Sequence, residues 1–119
     1  MPFAERFEDL SIWQESRKRT IEIYDAFEAL RDFGFRDQII RASISIMNNI
    51  AEGFERRTKA DFAHFLDIAK GSSGEVRSML YLAEDRGYIQ PQLSNEQRIQ
   101  FERLSASIGA FAASLRRKQ

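Results

Sequence analysis

The chain is 119 residues long, 43% hydrophobic and 30% charged, and its 18 basic and 18 acidic side chains leave a formal net charge of zero. That length suffices for one domain with its own core, and the absence of cysteine excludes a disulfide framework or a thiolate metal site. A balanced charge removes the simplest electrostatic argument for nucleic-acid binding, so any basic surface has to come from uneven placement.

The segment Met1-Pro2-Phe3-Ala4-Glu5-Arg6-Phe7 has no basic stretch followed by an apolar run, so no signal peptide is expected. No stretch approaches the roughly 18 apolar residues of a membrane helix. The expectation is a cytoplasmic protein with no membrane partner. Pro2 and Pro91 lie outside the periodic segments, and neither fixed-period repeats nor alternating strand patterns occur.

Four apolar stripes of helical spacing fill residues 1–119, read as a single domain. The first spans about 9–30, where Leu10, Trp13, Thr20, Tyr24 and Phe27 form one row and Ile12, Ile23 and Leu30 a second. After a break containing Gly34, the second covers about 35–54, its wide arc running from Ile39 and Ile40 through Ile44, Ile46, Met47, Ile50 and Ala51 to Phe54. The third, about 59–86, opens on Thr58 as N-cap with Asp61 three residues on, and carries Phe62, Phe65, Leu66, Ala69, Val76, Met79, Leu80 and Ala83. Gly87 is its expected stop. The fourth, about 94–116, is expected to begin at a Ser94/Gln97 capping box and to bury Phe101, Leu104, Ile108, Phe111 and Leu115.

Helices of such length with short connections predict an all-α, antiparallel up-down-up-down four-helix bundle. One stripe per helix suffices for a single bundle. The extra rows on the first two helices are therefore either scattered surface residues or, the favoured reading, a contact with another subunit.

The polar residues of the middle helices form a candidate structural network. Arg41, Ser45, Asn48, Asn49 and Glu52 lie opposite the apolar arc, while Ser72 falls inside the stripe of the third helix and Glu75 on its border. Antiparallel register brings Glu75 nearer Arg41 than Glu52, so an Arg41–Glu75 ion pair is expected. Arg41, Asn49, Glu52, Ser72 and Glu75 are read as fixing helix register or subunit pairing. Gly53 is read as ending the second helix and Gly71 as allowing close helix approach.

These residues also carry a resemblance. The chain resembles the four-helix-bundle proteins encoded by intervening sequences of 23S rRNA genes, a family related to the accessory protein of diversity-generating retroelements. The match runs from Phe7-Glu8-Asp9-Leu10 and Trp13-Gln14 through Gln38, Arg41-Ala42 and Ser45-Ile46 to Asn49-Ile50-Ala51-Glu52-Gly53 and Arg57. It continues with Phe62, Phe65-Leu66, Ile68-Ala69, Gly71-Ser72, Glu75, Leu82-Ala83 and Gly87-Tyr88. Met47 stands where proline is usual, Lys70 where arginine is, Gly74 falls mid-helix, and the connection at 31–34 is short. The resemblance implies a bundle that assembles into a ring-like homo-oligomer, a pentamer, with no catalytic activity, whose relatives act with RNA or a reverse transcriptase.

No catalytic or metal constellation stands out. Asp61-x-x-His64 has the spacing of half a di-iron site, but His64 is the sole histidine and a second such motif is missing. No GxGxxG or P-loop occurs, and no triad can be assembled. No cofactor is expected. One end of the bundle should instead gather Arg56, Arg57, Lys59, Arg116, Arg117 and Lys118, and a ring would repeat this weak patch around one rim. The expected function is a non-enzymatic oligomeric bundle that binds RNA or an RNA-handling protein through that face. The alternative is a protein-interaction scaffold without nucleic-acid affinity.

Overall fold

A computed structural model of the chain describes residues 4–117. A 3₁₀ turn at Phe7–Asp9 leads into four helices, α1 (Ser11–Phe27), α2 (Phe33–Phe54), α3 (Lys59–Asp85) and α4 (Pro91–Arg117), with no strand among the described residues. The long axis of 47 Å against 20 and 19 Å across reflects the 27-residue length of α3 and α4.

Local chemistry sets the helix ends, in two cases differently from expectation. The Asp32 carboxylate accepts from the Phe35 amide at 3.2 Å, so α2 begins at Phe33 and Gly34 sits in its first turn, not in the break. The helix then continues through Met47 to Phe54 without interruption. Thr58 caps α3 as expected, its hydroxyl accepting from the Asp61 amide at 3.0 Å. Gly87, at φ 73°, ends α3: its amide donates to Glu84 O and the Tyr88 amide to Ala83 O, the pairing of a Schellman motif.

The Ser94/Gln97 capping box does not form. Pro91 is the first residue of α4, where its missing N–H is no loss, and the Ser94 amide already bonds the Gln90 carbonyl. Ser94 is instead buried and donates to Leu80 O at 3.2 Å, while Gln97 donates to Glu22 at 3.0 Å.

Three contacts between helices that follow one another in the chain show where they meet. Phe27 meets Phe35 edge-on, Ser45 bonds Ser72, and Arg116 near the end of α4 reaches Asp67 near the start of α3. Ile23, Ile39, Ile46, Ile50, Leu66, Val76, Leu80, Phe101, Ile108 and Leu115 are fully buried in one core cluster. Serines inside this core are all bonded: Ser43 to Thr20 between α1 and α2, and Ser105 to Ser73, which donates on to Phe101 O, between α3 and α4. Each hydroxyl so satisfied avoids a desolvation penalty of about 1–3 kcal/mol.

The close helix approach expected at Gly71 is found at Gly53 instead, and Gly53 does not end α2, which runs on to Phe54. Gly53 is buried inside α2, and a Cβ there would stand 2.7 Å from Phe65 Cβ and 2.9 Å from the Phe62 ring, so it is Gly53 that lets α2 approach α3. Gly71 is exposed, with nothing within 4 Å of its would-be Cβ. The surplus apolar rows also fall differently. On α2 only Phe33 is strongly exposed, because Ile40, Ile44 and Met47 are half-covered. On α1 the row expected as surplus is core, with Ile12 and Ile23 buried, and large apolar side chains lie open instead at Ile21 and Tyr24 of α1, Ile68, Tyr81 and Leu82 of α3, and Leu93 and Ile99 of α4.

Candidate nucleic-acid interface

The α2–α3 turn owes its shape to the Gly53 approach. Phe65 packs over Gly53, and the Arg56 guanidinium lies 4.6 Å above the Phe65 ring while bonding Glu52 at 2.7 Å. Arg56 is thus tied twice, to a ring and to a carboxylate one turn before it. Arg57 and Lys59, on either side of the Thr58 cap, are exposed and make no ion pair among the described residues.

The end of α4 repeats the division. Arg116 forms a two-pronged pair with Asp67 at 3.2 and 2.6 Å. The hydrogen bond from Arg116, reinforced by its charge, lowers the Asp67 carboxyl below its ordinary range, and the carboxylate raises the Arg116 guanidinium in turn. Arg117 is exposed and has no ion pair among the described residues, and Lys118 lies outside them. Of the cations expected to form the patch, Arg56 and Arg116 are engaged internally. Arg57, Lys59 and Arg117 remain available.

The polar network of α2 and α3 forms in part. Asn49 donates to both the carbonyl and the hydroxyl of Ser45, at 2.8 and 2.9 Å, and the Ser45 hydroxyl meets that of Ser72 at 2.9 Å. This chain of hydrogen bonds joins α2 to α3. The buried serine is Ser73, not Ser72, which is only half-covered. Glu52 belongs to Arg56. The Arg41–Glu75 pair is absent: Gln38 reaches Glu75 at 3.4 Å, and Arg41 is exposed without an ionic partner among the described residues. Arg41 lies three residues beyond Gln38, which rotates it about 60° around the helix and away from α3.

No group of three His, Asp or Glu side chains that could hold a metal occurs among the described residues, and His64 is exposed beside Phe65. Among the described residues no helix is long and apolar enough to cross a membrane.

A second cationic surface was not singled out from sequence. Arg6, Glu8, Trp13, Arg17, Lys18 and Ile21 line an open groove of about 590 Å³ between the 3₁₀ turn and the outer side of α1. Phe7 meets Trp13 edge-on at 5.2 Å, and the Gln14 amide donates to Glu8 O at 2.9 Å, tying the entering strand of chain to the helix. The signal was present as an aromatic followed four and five residues on by Arg17 and Lys18, but Trp13 read as a core residue.

Known proteins give the arrangement its context. No curated protein matches the sequence. A solved structure from Bacteroides thetaiotaomicron VPI-5482, a protein with unknown function from the S23 ribosomal protein family, superposes with a TM-score of 0.79. It shares 21% identity and covers 86% of this chain and 95% of its own, a likeness in fold alone. The model of the 23S rRNA-intervening sequence proteins matches residues 8–110. With nearly its whole helical body inside that match, the chain belongs to the 23S rRNA-intervening sequence protein family.

Proposed function

We propose that this chain is a non-enzymatic, self-associating up-down-up-down bundle that contacts RNA through the α2–α3 turn and the end of α4. The observation that carries the reading is the division among the cations at that end. Arg56 and Arg116 are held by carboxylates, whereas Arg57, Lys59 and Arg117 are exposed with no carboxylate partner among the described residues. Unpaired arginine and lysine on a short turn suit phosphate contact, which needs charge and reach but no base-reading geometry.

Self-association is supported by where the apolar side chains remain open. A closed ring needs two different patches per subunit. Tyr24 on α1 with Phe33 on α2, and Ile68 with Leu82 on α3, supply apolar residues on separate helices. A pentamer would set five copies of the Arg57–Lys59 turn around one rim, so that weak contacts add.

The test is titration of structured RNA at low and moderate salt, with the protein mass measured by light scattering. Affinity should fall steeply with salt, and R57E/K59E should lower both the affinity and the salt slope. RNA binding unchanged by that variant would overturn the assignment. The second reading, a scaffold contacting only protein, is favoured by the neutralisation of Arg56 and Arg116, and absence of RNA binding at low salt would establish it in place of the first.

A further inference from the structure

We infer that the α1 groove is a stacking site for an unpaired base of single-stranded RNA, with Trp13 as the platform and Arg17 and Lys18 holding the neighbouring phosphates. The inference rests on the RNA-contact reading only in taking RNA as the partner; the residues are different ones.

Charge and shape argue for this occupant. Among the described residues Arg17 and Lys18 are exposed and have no carboxylate partner, while Arg6 shares Glu8 and Asp9 at 3.5 and 3.9 Å, so the groove is net positive. Glu15 and Glu22 of the same helix do not line the groove, and both pair with Arg19, at 3.1 and 3.0 Å. Trp13 is half-buried, anchored by Phe7 and the core, and keeps an indole surface in the groove. The Arg17 guanidinium lies 5.7 Å over that ring, so a base entering the groove takes its place on the indole and leaves the displaced cation beside the base's phosphate. A volume of about 590 Å³ lies in the range of small-ligand sites and admits a nucleotide, more than one acidic side chain would fill. An aromatic surface flanked by cations is the combination that binds single strands without reading sequence.

Trp13 is the sole tryptophan of the sequence, so its emission reports on this groove alone. The intact protein would be titrated with an oligouridylate of about 12 nucleotides, an abasic oligomer of equal length and an oligoglutamate of equal length. The expected result is quenching by oligouridylate, with the abasic chain binding about ten-fold more weakly. W13A and, as an exposed variant that does not touch the core, R17E/K18E should each weaken labelled oligouridylate binding by about ten-fold. Oligonucleotide binding with unchanged emission and full affinity in R17E/K18E would overturn the groove assignment while leaving the Arg57–Lys59 contact intact. Equal quenching by oligoglutamate would overturn it in favour of an acidic peptide. Failure of every oligonucleotide and of structured RNA to bind would remove both readings together.

Discussion

At the end of the molecule where the α1–α2 and α3–α4 connections meet, polar side chains are spent on each other. Tyr88 donates to Asp32 at 2.7 Å, Asp32 also caps α2, and Arg86 lies 5.8 Å over the Tyr88 ring. The hydrogen bonds from Tyr88 and the Phe35 amide lower the Asp32 carboxyl below its ordinary range. Phe35 packs edge-on between Phe27 and Tyr88, closing that end with rings. At the other end, the α2–α3 turn and the tail of α4 are anchored by Arg56 and Arg116, yet Arg57, Lys59 and Arg117 have no ionic partner among the described residues. The contrast separates charges that hold the fold from charges that the fold does not need. Only the second kind is free for a ligand.

The largest way to disturb this comparison lies under the open end. Gly53→Ala puts a methyl 2.7 Å from Phe65 Cβ and 3.3 Å from the Phe62 carbonyl, and neither is the tip of a flexible side chain. Helices α2 and α3 must move apart, at a cost of about 1–3 kcal/mol in denaturant unfolding, with loss of the Arg56–Phe65 contact. Gly71→Ala, which meets nothing within 4 Å, should instead stabilise by about 0.5–1 kcal/mol through helix propensity. Equal effects at the two positions would refute the close-approach assignment.

At the clasped end, Gly87→Ala forces a Cβ onto a residue at φ 73°. The expected loss is about 1–2 kcal/mol by thermal unfolding, because an L-residue resists that conformation. A variant as stable as the parent would show that the α3 stop does not depend on the left-handed residue. Thr58→Ala at the open end should cost about 1 kcal/mol, since the Asp61 amide loses its acceptor. It should leave RNA affinity nearly unchanged, because the cap is not a phosphate contact.

What was legible in the sequence follows the range of the forces involved. Thr58 and Gly87 act on backbone within one turn, and both could be read from their neighbours alone. Ser94 was misread because two local signals competed, and Pro91 three residues earlier had already started the helix. The roles of Gly53 and Gly71 depend on which face meets Phe62 and Phe65, a matter of tertiary packing that spacing does not encode. The cations of the open end could be grouped by connection length, but their sorting into engaged and free could not. It hinges on Phe65 and Asp67, residues of α3 that the charge pattern did not connect to Arg56 and Arg116.

The smallest effect tests that sorting directly. The Asp67 carboxyl is lowered in the folded chain by the Arg116 hydrogen bond, so it binds its proton less readily folded than unfolded. Stability from the pair is therefore present above the unfolded aspartate value of about 4 and is lost as pH falls through the lowered folded value. Both side chains are about half exposed, at 48% and 52%, and solvent screening keeps the contribution to about 0.5 kcal/mol or less. Asp67→Asn should lie below the parent by that amount near neutral pH, and the two denaturation curves should converge in acid. The same variant releases Arg116 from its carboxylate. If internal pairing is what withholds a cation from the interface, Asp67→Asn should bind RNA more tightly than the parent even as it becomes slightly less stable. Unchanged RNA affinity would mean that Arg116 is out of reach of the ligand, confining the contact to Arg57, Lys59 and their immediate surroundings.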